Sequence, residues 1–175
     1  MADKLIADLI ALNQRQAAEF VDPGQAAQRR RYRALHPTRI TVMKCMDGRV
    51  NMALLTRTPV GIIFPLRNIG GVFDLGWPAL EMRLTEFVDD SIRLGVQNII
   101  MTTYHYSAGS AGRGCRGHSY DVERSKQSSQ QLVEQIEFVF GHGHEQVYPI
   151  MVGVETDAEA LLLHGRPRII RNIGF

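Results

Sequence analysis

The chain has 175 residues, 45% of them apolar and 22% charged, with a formal net charge of +2. That length supports one principal domain with a sizeable core, and so small a charge excess leaves no electrostatic footprint for a nucleic-acid partner. No stretch approaches the roughly 20 consecutive apolar residues of a membrane-spanning helix, so no membrane partner is expected.

Taken in chain order, Leu5, Ile6, Leu9, Ile10 and Leu12 form a helical stripe within residues 2–20. Asp3, Lys4 and Asp8 interrupt the stretch, unlike the apolar run of a secretory signal, so a cytoplasmic location is expected. In that reducing compartment the two cysteines, Cys45 and Cys115, read as free thiols or metal ligands rather than as a disulfide. "DPGQ" at 22–25 breaks the first helix, and a second short helix follows through 26–35, with Arg29–Arg33 as a solvated face. Residues 1–36 therefore read as an N-terminal helical arm, amphipathic enough to pack against the main body or a second subunit. Residues 37–175 read as a single α/β domain.

"TRITVMKC" (38–45) is rich in β-branched residues and ends in a polar turn, which predicts a strand. "VNMALLTR" (50–57) suits a short helix, and "VGIIFPLRN" (60–68) a second buried strand closed by Gly70 and Gly71. Residues 77–95 predict a helix, with Pro78 in its first turn and Gly95 at its C-cap. Trp77 then marks only the helix start. A third strand is expected over 96–105, a glycine-rich loop over 106–119 and a long helix over 120–140. A fourth strand follows over 146–156, and "DAEALLLHG" (157–165) reads as a last short helix. Alternating strands and helices with nearly continuous apolar strands indicate an α/β fold with a mainly parallel sheet flanked by helices.

Ligands of such folds gather outside the C-terminal ends of the strands. Three chemically loaded stretches fall there: Cys45-Met46-Asp47-Gly48-Arg49, then Arg67-Asn68 with Gly70-Gly71, then His105 with Cys115. Two thiolates and an imidazole make a zinc set, one Zn2+ per chain, and both cysteines are used. Three protein ligands leave a fourth position for water, whose pKa zinc lowers from about 16 to about 7. Asp47 is close enough in sequence to accept that water's hydrogen bond, and close enough to take the fourth position itself. The forked guanidinium of Arg49 would decide between these by holding the carboxylate. Two thiolates stabilise a bound hydroxide less than histidines do, which raises the value of a directed Asp acceptor.

"CMDGR" resembles the C-x-D-x-R metal motif of the β-class carbonic anhydrases, and "RNIGG" resembles the R-N-x-G stretch after their second strand. The resemblance covers roughly residues 38–155. It implies a β-carbonic-anhydrase-like fold, Cys45, His105 and Cys115 as ligands, and Asp47–Arg49 as the pair that orients a zinc-bound hydroxide for attack on carbon dioxide. The products and partners implied are bicarbonate and a homodimer, or a higher homo-oligomer, exchanging its arms. His105 and Cys115 stand ten positions apart, where most β-class members have three. That spacing is similar to the carboxysomal-shell and diatom cadmium-using carbonic anhydrases. Gly109, Gly112, Gly114 and Gly117 would let the loop fold back onto the metal.

Other readings share the site. Carbon disulfide or carbonyl sulfide, linear apolar analogues of carbon dioxide, are open to the same attack, and Asp47 as fourth ligand would leave a purely structural zinc. Arg67, Asn68, Gly70 and Gly71 are expected to shape the pocket floor, or simply to tie the strand end down. His118 competes with His105 as nitrogen ligand, but its place reads as a helix N-terminal position. His142 and His144 read as a polar loop, and His164 as a helix cap.

Overall fold

A computed structural model of the chain describes residues 2–20, 23–140 and 147–164. The chain divides into two units, 1–35 and 36–175. The first holds α1 (Ala2–Phe20) and α2 (Pro23–Leu35). On α1 the apolar row Leu5, Ile6, Leu9 and Ile10 is more than half exposed in the single chain. Among the described residues no helix is long and apolar enough to cross a membrane.

The second unit is built on a sheet of five strands: β1 (Thr38–Cys45), β2 (Ile63–Asn68), β3 (Gln97–Tyr106), β4 (Val147–Glu155) and β5 (Ala160–His164). Their order is β2-β1-β3-β4-β5. The first four run parallel, and β5 returns antiparallel to β4. The helices are α3 (Met52–Leu55), α4 (Pro78–Arg93) and α5 (Val122–Phe140). Leu80, Leu84 and Val88 recur at helical spacing on α4 and, with Leu132 and Ile136 of α5, pack against Met43 and Ile100 on one face of the sheet. The opposite face presents Ile40, Val42, Ile99, Met101, Val152 and Val154, covered by Val50 and Met52. Both faces are therefore dry, which is why β1, β3 and β4 read as continuous apolar runs rather than alternating ones. Pro78 opens α4, and Gly95 sits just past its end at φ +65°, a conformation that favours glycine.

Three elements differ from the sequence reading. The helix expected over 50–57 is a single turn, Met52–Leu55. The second strand is shorter, Ile63–Asn68, and is not buried: it lies at the sheet edge, with Phe64, Pro65, Arg67 and Asn68 exposed. An edge is where a strand tolerates Pro65, which cannot donate to a ladder. The segment expected as a closing helix instead turns at 156–159 and forms β5. Its leucines are good helix formers, but pairing with β4 places Leu161 and Leu163 against the core. His164 accordingly caps no helix; its Nε2 lies 2.7 Å from the Tyr104 hydroxyl. His142 and His144 lie outside the described residues.

What the fold offers to chemistry is one crest where the four parallel strands end. Cys45 closes β1 and pairs in register with Asn68, the last residue of β2. His105 is the penultimate residue of β3, and Glu155 closes β4. After β2 the chain turns through Gly70 and Gly71 at φ +70° and +68°. Against this turn lies Gly117, near the end of the glycine-rich loop. A Cβ on Gly117 would stand 2.5 Å from the Gly70 Cα and 2.6 Å from the Gly70 nitrogen, so it meets backbone that cannot rotate away. Gly117→Ala is therefore expected to destabilise the domain by about 1–3 kcal/mol, read as a lower denaturant midpoint at unchanged slope.

Candidate metal centre

Cys45, His105 and Cys115 converge at the crest, with their Sγ and imidazole nitrogen atoms all within 4.8 Å of one another. All three are buried, His105 and Cys115 to 2% exposure. Each arrives by a different local device. Cys45 is carried by β1 and His105 by β3, the two adjacent central strands. Cys115 comes in on the loop, where its carbonyl accepts the amides of His118 at 3.1 Å and Tyr120 at 2.9 Å. That tight turn uses left-handed backbone at Ser119 and Tyr120, φ +54° and +64°.

These groups could hold a metal ion, and the hydrogen bonding around them fits such a role. Among the described residues neither nitrogen of the His105 ring has a hydrogen-bond partner, although both are buried. Leaving such groups unpaired costs about 1–3 kcal/mol each, a cost that a metal bond would remove at one of the two nitrogens. The sulfurs lie 4.0 Å apart, with the Cys115 thiol donating to Cys45. That bond drives the Cys45 pKa well below its usual value, helped by the His105 ring and by the backbone amides of Asp47 and Gly70. The same bond, with burial and the neighbouring negative charge, drives the Cys115 pKa up. The pair thus keeps one proton between two sulfurs unless a cation neutralises both.

Beside the ligands stands Asp47, gripped by Arg49. Asp47 Oδ1 accepts the Arg49 backbone amide at 2.9 Å and Nε at 3.0 Å, and Oδ2 accepts Nη2 at 2.6 Å. This fork holds the Asp47 carboxyl down at about 2. Asp47 does not join Cys45, His105 and Cys115 within their mutual 4.8 Å. It flanks the centre, and Oδ2 keeps lone-pair capacity for one more donor.

Above the centre opens a cleft of about 730 Å³. Its wall combines the apolar Met46, Ile69 and Tyr120 with the cations Arg49, Arg113 and Arg116. Of the residues expected to shape the pocket floor, Gly70 lines this cleft, whereas Arg67, Asn68 and Gly71 are not on its wall. The Asn68 side chain braces the turn: its Oδ1 accepts the Ile69 amide at 2.8 Å, and its Nδ2 donates to the Val72 carbonyl at 2.7 Å. Gly71 packs under it, where a Cβ would lie 3.3 Å from the Cys45 nitrogen. His118 stays outside the ligand group. Its Nε2 lies 2.9 Å from the Gly70 carbonyl oxygen, so it clamps the loop to the turn rather than serving a helix terminus.

The sequence reading missed several residues. Lys44 is 2% exposed, and burial, with Arg67 nearby, pushes its ammonium down to about 8, while Cys45 and Asp47 act in the opposite direction. Glu155 accepts the Ala108 amide at 2.8 Å and so fixes the start of the loop. Asp157 forms an ion pair with Arg113 at 2.9 Å. Both carboxylates stand at the end of the fourth strand, the same crest that supplied every other candidate, and that position was the available signal.

Comparison with known proteins bears on the fold and the family. Among solved structures the fold is similar to a tetrameric β-carbonic anhydrase of Sordaria macrospora, at TM-score 0.53 and 14% identity, covering 94% of this chain and 96% of that one. It is similar to the β-carbonic anhydrase CafA of Aspergillus fumigatus, at TM-score 0.56 and 13% identity, covering 94% and 93%. The Coccomyxa β-carbonic anhydrase, solved with acetazolamide, gives TM-score 0.56 and 15% identity, covering 90% and 85%. A comparison with curated protein sequences gives no match. The family profile of the carboxysome shell carbonic anhydrase catalytic domain matches residues 33–168. With that match spanning the sheet, the three converging residues and the Asp47–Arg49 fork, the chain belongs to the carbonic anhydrases, in the family of carboxysome shell carbonic anhydrase catalytic domains.

Proposed function

We propose that this chain catalyses the reversible hydration of carbon dioxide to bicarbonate with one zinc ion held by Cys45, His105 and Cys115. The observation that carries the reading is the buried, unpartnered His105 ring between two thiols, open to a cleft beside a fixed carboxylate. Two sulfurs and a nitrogen suit a borderline-soft divalent ion, and three protein ligands leave a position for water. When bound, the metal supplies Lewis-acid activation of that water near neutral pH.

The protein's own groups do the rest. Arg49 holds the Asp47 carboxylate on three hydrogen bonds, which leaves Oδ2 able to accept one from the attacking oxygen and so aim its lone pair at the substrate carbon. Met46, Ile69 and Tyr120 offer apolar wall to an uncharged linear substrate, and Arg113 and Arg116 favour the departing anion. Asp47 as a closing fourth ligand would require its carboxylate to move in toward Cys45, His105 and Cys115 from the place where Arg49 holds it. The exposed apolar row on α1 and the exposed Met46 and Ile69 support a homo-oligomer, and two cysteines kept as thiols support a cytoplasmic setting. Sedimentation should show a species larger than the monomer at micromolar concentration.

Stopped-flow carbon dioxide hydration on reduced, zinc-replete protein tests the proposal, with turnover expected at about pH 7 and at about pH 8.5. Silence at both, with one zinc per chain confirmed, would overturn it. Cys45→Ala should lose stoichiometric zinc by elemental analysis, and retention of the metal would refute the ligand set. Zinc uptake by the apo-protein near neutral pH should release about one proton from the sulfur pair, measurable with an indicator dye.

Asp47→Ala should keep the metal and lose on the order of a hundredfold in kcat. The stability side has a defined sign. Because the folded-state carboxyl lies at about 2 against an ordinary 3.8, the fork stabilises the fold above the ordinary value and loses that contribution as pH falls through about 2. The stability difference between wild type and Asp47→Asn should thus be constant from about pH 5 to about pH 8 and shrink below about pH 4. Denaturant titrations across that range measure it.

A further inference from the structure

Arg49 has more partners than Asp47. Its Nη2 also donates to the Arg113 carbonyl at 2.9 Å, and its Nη1 to Thr156 Oγ1 at 3.4 Å. Thr156 is itself fixed, since its hydroxyl donates to the Tyr106 carbonyl at 3.0 Å. One side of the guanidinium thus grips the carboxylate, and the other is held by two groups from different loops. These two groups share a neighbour. Asp157, next to Thr156 in the turn after β4, ion-pairs with the Arg113 side chain at 2.9 Å. It also accepts the Gly109 amide at 3.3 Å and the Ser107 hydroxyl. Its carboxylate therefore brackets the loop segment 109–113 from both ends, and that segment presents the carbonyl on which Arg49 rests.

We infer that Asp157 is a positioning residue for the Asp47–Arg49 fork, acting through Arg113 and the loop it carries. Asp157 hydrogen-bonds to none of Cys45, Asp47, His105 and Cys115 among the described residues; it acts on Arg49 through the Arg113 carbonyl and through the direct attraction between its carboxylate and the Arg49 guanidinium. The physical need is clear from exposure. The Arg49 side chain is 36% exposed, and an ion pair at such a site is weak and mobile when nothing else fixes the guanidinium. Held at Nη1 and Nη2 from behind, the fork keeps one geometry, and small misplacements of a group that orients a reacting oxygen cost rate steeply. The role rests on the hydration reading above, but the coupling from Asp157 to Arg49 does not require turnover to be observed.

The test is Asp157→Asn, with Arg113→Gln as a second variant should the first fail to fold, each examined metal-free and zinc-loaded. The backbone amide of Arg49, which donates to Asp47 Oδ1, reports the fork by hydrogen exchange. In both variants this amide should exchange about tenfold faster. In the zinc-loaded enzyme kcat should fall about tenfold with KM and zinc content unchanged. Asp157→Glu should recover part of both losses. Exchange at Arg49 unchanged from wild type, even with Gly109 exchanging faster, would overturn the inference, because Asp157 would then merely tie down the loop. If the wild-type protein fails to hydrate carbon dioxide, the functional reading falls alone, and Arg49 exchange still decides this one.

Discussion

A buried imidazole with both ring nitrogens unpaired, set against two thiols that must share a proton, is a costly arrangement for a chain to maintain. The surrounding structure makes sense as the machinery that enforces it. Two adjacent parallel strands bring Cys45 and His105 to the same crest, and the strand order is what makes them neighbours, since β3 pairs directly with β1. The backbone amides of Asp47 and Gly70 at one sulfur, and of Gly117 and His118 at the other, bias both toward the anionic form that a cation requires.

Around that centre the polar groups divide into two systems with separate anchors. The sulfur side is braced by the turn at Gly70 and Gly71 and by the His118 clamp onto Gly70. The carboxylate side is braced by Arg49, which reaches across to the loop and to the end of β4. Gly70 belongs to the first system and Thr156 to the second, so all four parallel strands contribute to the site through their C-terminal ends. On the proposed reading, this division puts metal retention and water orientation on different side chains, so that one can be perturbed without the other.

Much of this was legible in the sequence because the governing signals are local. "TRITVMKC" announces a strand by its β-branched residues and offers a candidate ligand at its last position, and Pro78 and Gly95 bracket α4 by backbone chemistry alone. The unread parts were fixed by partners distant in sequence. "ALLLH" has the composition of a helix, and its fate as β5 follows from a free edge on β4 and from the Tyr104 hydroxyl waiting for His164. β2 reads as buried because it is apolar, yet its position at the edge is a property of sheet order. His118 looks like a terminus residue until Gly70 is brought beneath it. Asp157 is a lone carboxylate until Arg113, Ser107 and Gly109 arrive from the glycine-rich loop.

The close approach of Gly117 to Gly70 also bears on the unusual length between the histidine and the second cysteine. Cys115 is located from its downstream side, by the turn that closes on its carbonyl and by the seat of Gly117 and His118, while Glu155 and Asp157 fasten the upstream end at Ala108 and Gly109. The stretch between these two fixed points does not determine where the sulfur sits. Its closure entropy grows only logarithmically, about 0.6 kcal/mol for each doubling of length. Insertions and deletions there are therefore nearly neutral for ligand geometry, whereas a single added residue between Cys115 and His118 would pull the sulfur off its mark. A change of length there would remodel the cleft wall and leave Cys45, His105 and Cys115 in register, but it would also have to return the Arg113 carbonyl to Arg49.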